Sequence, residues 1–423
     1  MCIAVMSWCM WLIVTVILLY LLRNIYLPVP VALYGKYYSK RGPWYFEKRA
    51  VFTLLMKLRK WKVERNASQS DAAGYGVRSR DKIEDMDRAQ KLDNTPKAVD
   101  AVYFNGSNKD GAYIITAVSR RPKKVAQLVL FLYIPDVGLF QLPEHPDSTV
   151  YECNPDRHEA GGLCIEVVTP MKEWKITYNG KLRKGPRNEW SDDDTDLVTA
   201  KFEFIWISYT DIYDFDVDQH PDTIIDAVAK QPWSREFFRL LRDAHQTHYE
   251  QFGEWKGKVQ LEGHNDIELN MKGMRDHSYG KHREWGDFHR YGIHMIHLED
   301  GTSINLGKIC LPETLSDLSI GYVMNTKGKK EAISWTDMDL PTLGEEGIPP
   351  KEYQVNFLAG EKKYNMKVQV HRAPIFYMGF GWEARIYEQM VSVNVNGQKG
   401  RGIAEFLYRY YLGCPRDAQL SFD

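Results

Sequence analysis

The residues best suited to chemistry in this chain are concentrated between Gly273 and Asp287, in the stretch GMRDHSYGKHREWGD. The stretch mixes histidines, arginines, acids and two aromatic side chains, which is uncommon for a solvated surface loop. Gly273, Gly280 and Gly286 punctuate it, and glycine allows the positive φ angles of sharp turns. We therefore predict a loop between two strands that aims polar side chains into a cavity. The same residues would also suit a charged hairpin end whose arginines and acids pair only with one another.

These residue types favour proton transfer in an apolar setting. His277 titrates near neutral pH and Asp276 can carry a proton, so either could protonate an alkene or polarise a carbonyl in an apolar pocket. Aromatic rings could line that pocket and stabilise developing positive charge. The candidate catalytic residues are Asp276, His277 and Tyr279, and the candidate ligand-binding residues are Arg275, His282, Arg283, Trp285, Glu405 and Arg409. The alternative is that this group closes the mouth of a barrel with a satisfied hydrogen-bond network.

The sequence does not favour a metal or a cofactor. His289, His294 and His297 are close in the chain, but side chains alternate faces along a strand, so His294 and His297 would point in opposite directions. A zinc site needs converging ligands. The chain contains no GxxxxGK(S/T), HExxH or GxSxG motif. The acidic run at positions 192–194 lacks the glycine and terminal glutamate of an EF-hand loop and predicts a solvated turn.

Composition limits the class of protein. The chain has 423 residues, of which 44% are hydrophobic, and this suffices for a sizeable core in two or three structural units. The formal net charge of −1 argues against nucleic acid as a partner. Aromatic residues make up 13% of the chain and favour strands. The 6 scattered cysteines form no CxxC pair, so we expect reduced thiols rather than a disulfide framework.

The N-terminal end has the character of a membrane anchor. Residues 1–22 carry no charge, and about 20 apolar residues span a bilayer as a helix, so we predict a transmembrane anchor at residues 1–23. Basic residues follow this stretch and none precedes it, which by the positive-inside rule places the remainder in the cytosol. We therefore expect a single-pass protein of the endoplasmic reticulum with its β domains facing the cytosol.

Two segments join this end to the rest of the chain. Residues 24–65 combine apolar side chains such as Phe52 and Trp61 with many lysines and arginines. A basic amphipathic helix binds an anionic membrane surface, so we predict such a segment here. The alternative is a helix packed on the folded body. Residues 66–98 are polar and predict a linker.

Strand patterns fill the remainder of the chain. Many short aromatic-rich runs separated by glycine-rich turns predict antiparallel β-barrels or sandwiches. Asn179-Gly180 and Asn396-Gly397 predict hairpin turns. One inserted helix is predicted at residues 232–252, with Ser234 as its N-cap. We therefore predict a mainly β fold with two domains, at residues 99–252 and 253–423, of which the first ends with the helix.

Several of these segments resemble a known family. GMRDHSYGKHREW resembles the RDHSWG-type motif of the two-domain, lipocalin-like family that includes hydroxyneurosporene synthase and tocopherol cyclase, although Tyr279 stands where that family usually has tryptophan. EWKITYNG, HYEQFGEWKGKV and GRGIAEFLYR resemble three further segments of it. The likeness extends to membrane-anchored animal proteins and to domains of arthropod chains described as phosphoenolpyruvate synthases. It implies tandem lipocalin-like barrels with the polar loop at a pocket for a lipid or terpenoid.

Three functions remain open from the sequence. The first is a membrane-anchored carrier of an apolar lipid or isoprenoid-like ligand. The second is a cofactor-free enzyme that hydrates, cyclises or isomerises such a molecule through Arg275, Asp276 and His277. The third is a scaffold that binds a protein partner through an exposed apolar patch on its sheets.

Overall fold

The computed structural model describes residues 2–28, 36–65, 82–186 and 195–414, without the side chains of residues 2–7, 9 and 64. Its helices are α1 (Cys2–Tyr26), α2 (Tyr45–Arg65), α3 (Ile83–Met86), α4 (Pro221–Lys230) and α5 (Arg235–Asp243). The strands of its first half are β1 (Val99–Ser107), β2 (Tyr113–Arg121), β3 (Val125–Ile134), β4 (Gly138–Gln141), β5 (Thr149–Val150), β6 (His158–Ala160), β7 (Leu163–Thr169), β8 (Glu173–Lys184), β9 (Leu197–Ser208), β10 (Tyr213–Asp214), β11 (Thr247–Leu261) and β12 (Ile267–Gly280). Those of its second half are β13 (Arg290–Leu298), β14 (Ser303–Leu311), β15 (Leu315–Met324), β16 (Lys330–Thr336), β17 (Glu352–Ala359), β18 (Lys362–Arg372), β19 (Ile375–Met378), β20 (Ala384–Val395) and β21 (Gln398–Arg409). The predicted acidic turn at 192–194 and much of the predicted linker, at 66–81, lie outside the described residues.

The first barrel is a closed ring of antiparallel strands. β1 pairs with β2, β2 with β3, β3 with β4, and β4 with β8. β8 then pairs with β9, β9 with β11, and β11 with β12, which returns to β1 and closes the ring. The short strands β5, β7 and β10 pair with members of the ring, and β6 pairs with β7.

The second barrel closes in the same way. Strands β13 to β18 pair in chain order, β18 pairs with β20, and β21 joins β20 to β13, while β19 is added beside β20. The predicted mainly β fold with two antiparallel barrels in tandem is therefore confirmed. The change of barrel lies between Gly280 and Arg290, after the predicted division at residues 252 and 253, because β11 and β12 belong to the first ring. The limits of independently folding units stay a prediction.

Aromatic side chains fill the middle of the first barrel. Phe104 meets the rings of Trp174, Trp206 and Trp255 at centroid distances of 5.4, 5.6 and 5.9 Å, all edge to face. All four side chains are fully buried. This layer joins β1, β8, β9 and β11 across the ring, and Trp174 and Trp206 lie against the guanidinium of Arg275.

The helical region before β11 differs from its prediction. Ser234 caps α5 as predicted, and its hydroxyl accepts a hydrogen bond from the amide of Phe237 at 2.9 Å. The helix ends at Asp243, however, and the strand β11 begins at Thr247, so the predicted helix at 232–252 was wrong beyond that point. Residues 247–252 are strand because they pair with β12 over this length, and that tertiary pairing outweighs local helical periodicity.

The stretch predicted as a loop, Gly273 to Asp287, is strand as far as Gly280. Neither Gly273 nor Gly280 has a left-handed backbone. Gly273 serves close strand packing instead, because a Cβ added there would lie 2.0 Å from the carbonyl oxygen of Asn105 on β1. The loop prediction was wrong for residues 273–280, because these glycines were interpreted as turn residues.

The N-terminal helix α1 ends against the start of α2. The Tyr20 hydroxyl donates to Glu47 at 2.5 Å, and the amide of Trp44 donates to Asn24 at 3.4 Å. Among the described residues, no helix combines the length and the apolar character needed to cross a membrane. The predicted anchor at 1–23 and the single-pass location in the endoplasmic reticulum were therefore wrong.

One face of α2 packs on the folded body. Phe52 is buried in a cluster with side chains of α4 and α5, and Arg49 forms an ion pair with Asp222 at 3.0 Å. The alternative of a helix packed on the body therefore describes this face. On the rest of the helix Leu54 and Leu58 are exposed. Contact of this helix with a membrane surface stays a prediction.

Candidate functional site

Strand alternation divides the chemically rich stretch between the two sides of β12. Side chains of successive strand residues point to opposite faces. Arg275 and His277 share the inward face of the first barrel with Met271 and are fully buried. Asp276 shares the outward face with Met274, which packs in a core common to both barrels. The sheet therefore separates Asp276 from Arg275 and His277, which the sequence analysis had grouped in one site.

Inside the barrel, the positive charge of Arg275 is stabilised by an opposite charge and by aromatic rings. Its Nη1 lies 2.8 Å from Asp87 Oδ1, and its Nη2 donates to the side-chain oxygen of Gln251. The guanidinium carbon lies 5.0 Å from the ring centroid of Trp174, within cation–π range. The Tyr249 hydroxyl lies 2.8 Å from the same Asp87 oxygen. A buried charge is tolerated when it is paired and hydrogen-bonded in this way.

Asp100 is the second anion of this interior network. Its Oδ1 lies 2.6 Å from His277 Nε2, and its Oδ2 lies 3.0 Å from His158 Nε2 and accepts from Arg120 at 2.5 Å. Burial alone would raise the pKa of Asp100, but His158 and His277 hold it well below its usual range. Burial lowers the pKa of His277, although the neighbouring Asp100 acts to raise it. The Tyr249 hydroxyl, 2.9 Å from His277 Nδ1, joins this group to the preceding one.

Asp100, His158 and His277 also have the composition of a metal site. Their ligand atoms lie within 4.8 Å of one another, at a place the sequence analysis did not consider. Two ligands of a tetrahedral zinc ion lie about 3.3 Å apart if each is about 2.0–2.1 Å from the metal. His277 Nε2 and Asp100 Oδ1 are closer, at 2.6 Å, which is a direct hydrogen bond. Since Arg120 also contacts the carboxylate, we interpret the trio as an ion network.

On the other side of β12, several side chains that face the second barrel keep accessible surface, and we call this region between the barrels the crevice. Asp276 keeps accessible surface there, with the charged groups of His248, Glu250, Arg283 and Glu405 around it. Burial raises the pKa of Asp276 to about 7; His248 opposes this shift and Glu250 adds to it. The carboxyl group is therefore poised to hold or release a proton near neutral pH.

Two more acids meet in this crevice. Glu388 on β20 and Glu405 on β21 are direct cross-strand partners. Burial and the neighbouring Glu405 raise the pKa of Glu388 well above its usual range, and burial raises the pKa of Glu405. Tyr103 donates its hydroxyl to Glu388 at 3.2 Å, and Tyr291 donates to Glu405. Two like charges in contact do not both ionise readily, so the contact between these acids favours a protonated form of the pair.

The remaining walls of the crevice are apolar. Tyr103, Phe288 and Ile293 are half-buried and pack against the core shared by the barrels. Tyr103 and Ile293 lie within paired strands, at positions that face the opposite barrel, so their accessible surface indicates space between the barrels. The crevice therefore combines apolar walls with three carboxyl groups that hold protons unusually strongly.

The structure brings two more predicted site residues to these regions. Arg283 reaches the crevice, where burial lowers its pKa and its Nη2 donates to Ser278 at 2.7 Å. Tyr279 points toward the mouth of the first barrel, and its ring centroid lies 5.3 Å from that of His277. Tyr279 therefore borders the interior network and not the crevice.

Three predicted site residues lie elsewhere. His282 bonds to Asp287 at 2.8 Å on a partly exposed loop. Trp285 is buried and donates its Nε1 to Gln127 at 2.9 Å. Arg409 donates to a backbone oxygen at 2.9 Å and does not join Arg275 in the interior network. The first two contacts anchor the loop between the barrels, and the third joins the end of β21 to the residue before β20.

The three histidines that follow the motif lie in separate surroundings. His289 bonds to Glu345 at 2.7 Å, and His294 bonds to the Tyr353 hydroxyl at 2.8 Å. Burial lowers the pKa of His297 to about 3. The structure does not bring these three rings together as one ligand set.

Sequence reasoning missed most partners in both regions: Asp87, Asp100, Arg120, His158, Tyr249, Tyr103, His248, Glu250, Tyr291 and Glu388. Some carried a visible signal. Asp100 interrupts the apolar run AVDAVYF, and Glu388 interrupts the strand pattern of RIYEQMVSV. A charged residue inside a strand that is otherwise apolar must find a partner when it is buried, so such positions could have been selected beforehand.

Solved structures offer distant likenesses to this chain. An AttH-type protein from Nitrosomonas europaea shares 13% identity, with a TM-score of 0.44 over 74% of this chain and 94% of that one. Kievitone hydratase from Nectria haematococca shares 8% identity, with a TM-score of 0.45 over 76% and 91% of the two chains. CghA shares 9% identity, with a TM-score of 0.41 over 77% and 95%. The strand pairings of the two rings establish the fold.

Comparison with curated proteins finds no match. A family model, by contrast, matches residues 12–408, which include both barrels and most of the N-terminal helices. The chain belongs to the family of unknown function DUF8627.

Proposed function

We propose that this protein is a cofactor-free acid catalyst that protonates an apolar molecule held in the crevice between the barrels. The substrate class is an unsaturated, isoprenoid-like compound in which an alkene or a ring oxygen accepts the proton. One observation carries the proposal: the Asp276 carboxyl group keeps accessible surface beside the apolar core shared by the barrels, and burial raises its pKa to about 7. A general acid works best when its pKa lies near the working pH.

The chemistry needs only groups of this chain and water. The proton leaves Asp276, and the electron pair of the alkene forms the new C–H bond. The ring face of Tyr103, on the strand beside Asp276, would stabilise the resulting carbocation. Capture by water gives hydration and capture by an internal group gives cyclisation, and in both cases a proton released from the product returns to the carboxylate. Loss of a proton from a neighbouring carbon gives isomerisation.

The neighbouring charges suit this cycle. Glu250 and Glu405 favour the protonated form of Asp276, whereas His248 and Arg283 favour its carboxylate. These opposing effects leave the pKa near 7, so that the group can both give and regain a proton. His277, the other proton donor proposed from the sequence, is fully buried in the interior network, and we assign it a positioning role for β12.

A second candidate is a carrier that binds the same class of ligand without reaction. The apolar walls of the crevice favour it, and the experiment below separates it from the enzyme. A scaffold finds less support, because exposed large apolar side chains concentrate on α1 and α2 and are scattered on the described strands. The RDHSYG motif predicts a relationship to hydroxyneurosporene synthase, tocopherol cyclase and the animal and arthropod chains, and this relationship stays a prediction.

Deuterium labelling tests the proposal. The protein is incubated in deuterium oxide with farnesol, retinol or squalene, and mass spectrometry measures deuterium bound to carbon. We expect labelling by the wild type and a loss of about 100-fold or more in Asp276→Asn. The matched control is Asp266→Asn, which removes a carboxylate from an exposed ion pair with Lys258 and should label normally.

The outcomes separate the candidates. Labelling that survives in Asp276→Asn would show that another group donates the proton. Probes that bind tightly without labelling would favour the carrier. Probes that neither bind nor react would overturn both candidates for this ligand class.

A further inference from the structure

A groove of about 990 Å³ opens at the mouth of the first barrel. It lies between α2, α5, residues 90–94 and the adjoining ends of β1, β11 and β12. This volume is at the upper end of the range of small-molecule sites, about 300–1,000 Å³. No predicted site residue except Tyr279 lines it.

The walls of the groove are apolar on both sides. α2 contributes Phe52 and Leu55, and α5 contributes Phe238 and Leu241. Phe52 and Leu241 are buried, while Leu55 is 48% exposed and leaves the groove open to the outside. Tyr279 lies at the barrel end, where its ring meets His277 of the interior network. An elongated apolar group could therefore lie between the helices above a rigid polar base.

The groove lining carries an excess of positive charge. Its basic side chains are Arg59, Lys91, Arg242 and Lys281, and its carboxylates are Asp93 and Asp243. Both carboxylates already have cationic neighbours: Asp93 lies 3.8 Å from Lys281, and Asp243 lies 3.2 Å from Arg242 and 3.0 Å from Arg239, the latter outside the groove. An anion is therefore complementary to this lining, and a cation is not.

We propose that the groove is a second ligand site that binds a long-chain carboxylate. The apolar tail lies between α2 and α5, and the anionic head contacts the basic side chains, including Arg59. The site is separate from the crevice, because β11 and β12 lie between the two. Beside these strands, a hydrogen bond of 2.8 Å between Arg283 and Gln246 adds to the barrier. It stands independently of the acid catalysis proposed for Asp276.

Binding of dodecanoate, measured by isothermal titration calorimetry, tests the apolar part of the site. Leu55→Glu places a carboxylate in the groove and should weaken binding about tenfold or more. The matched control is Leu54→Glu, since Leu54 is on the same helix, is similarly exposed at 57% and does not line the groove. We expect its affinity to stay within about twofold of the wild type. Both residues are exposed, so both variants should fold.

The charged part of the site is tested by a second pair of variants. Arg59→Gln should weaken dodecanoate binding about fivefold while leaving the binding of uncharged dodecanol unchanged. Lys57→Gln removes an exposed charge outside the groove and should alter neither. Equal losses in both variants would show general attraction of anions to α2 and would overturn the site.

Vesicles distinguish a free carboxylate from a lipid surface. Sedimentation with phosphatidylserine vesicles that is weakened equally by Leu54→Glu and Leu55→Glu, without dodecanoate binding, would assign α2 to membrane docking and overturn the proposal. Failure of the wild type to bind dodecanoate at about 1 mM would do the same. Asp276→Asn should bind dodecanoate like the wild type, so this result and that of the labelling experiment are independent.

Discussion

The two sides of β12 carry opposite kinds of polar site. On the inner side, Arg275 and His277 are fully buried and have anionic partners, Asp87 and Asp100, at 2.8 and 2.6 Å. On the outer side, Asp276 sits among further acids, keeps accessible surface and has its pKa raised by burial. Arg275 and His277 therefore have partners of opposite charge, whereas Asp276, which lies between them in the chain, has other acids beside it. A buried charge that is paired with an opposite charge has a structural role, whereas an acid without such a partner is available for chemistry.

This difference also separates stability from function. Removing one partner of a buried ion pair leaves the other charge without compensation and strongly destabilises the fold. Removing an acid that holds a raised pKa relieves an unfavourable burial and leaves the fold intact or more stable. Variants on the two sides of one strand should therefore change stability in opposite directions.

The largest effect is expected on the inner side. Arg275→Ala leaves Asp87 buried without its cation and should lower the free energy of unfolding by about 3–5 kcal/mol. Denaturant unfolding followed by circular dichroism measures it. Arg88→Ala, which removes an exposed arginine paired with Asp85, is the control and should stay within about 0.5 kcal/mol. A loss below about 1 kcal/mol for Arg275→Ala would contradict the structural role of this network.

The second expected effect is a gain in stability, and its size depends on pH. Asp276 has its pKa raised to about 7 in the folded protein, so between about pH 4 and 7 the folded state holds a proton that the unfolded state has lost. This group therefore lowers stability as pH rises through that range, by at most about 1.4 kcal/mol per pH unit. Asp276→Asn should remove that contribution and raise stability at pH 8 by about 1–3 kcal/mol. Urea unfolding at several pH values checks it, and an unchanged pH dependence would speak against the raised pKa.

A smaller loss is expected where a hydrogen bond joins the two interior groups. Tyr249→Phe removes the hydroxyl that lies between Asp87 and His277 and should cost about 1–2 kcal/mol. Tyr151→Phe, at a residue that is 59% exposed, serves as the control. Thermal unfolding of the two variants gives the comparison. Equal midpoints would mean that the hydroxyl adds nothing to the network.

The smallest effect should come from the loop that follows β12. Asp287→Asn removes the partner of His282, but both side chains are partly exposed, and such pairs contribute about 0–1 kcal/mol. We expect a change within about 0.5 kcal/mol and no effect on deuterium labelling. A clear loss of labelling would move the functional site from the crevice to this loop.

Much of the architecture could be predicted because strand alternation and turn chemistry are local. Asn396-Gly397 forms the predicted hairpin between β20 and β21, with positive φ at both residues. Asn179-Gly180 has the same sequence but lies inside β8, where Asn179 and Gly180 pair with Lys201 and Ala200 of β9. The dipeptide permits a turn, and the partner strand decided whether one formed.

The site was harder to predict because it depends on which elements pair. Nothing local in GMRDHSYG distinguishes a loop from a strand that passes close to β1, so Arg275, Asp276 and His277 were grouped as neighbours. Once the stretch is a strand, alternation sends Asp276 to the other side. The acids around Asp276 include Glu388 and Glu405, which lie more than a hundred positions later in the chain. Only the docking of the two barrels brings them near Asp276.

Acid catalysis in the crevice depends above all on the protonation state of Asp276. Infrared difference spectroscopy between the wild type and Asp276→Asn isolates the carboxyl band of this one residue as pH is varied. We predict a band of the neutral carboxylic acid at pH 6 that is lost with a midpoint near pH 7, as its raised pKa requires. A carboxylate that is already fully ionised at pH 5 would show that the crevice does not hold Asp276 in its protonated form near neutral pH.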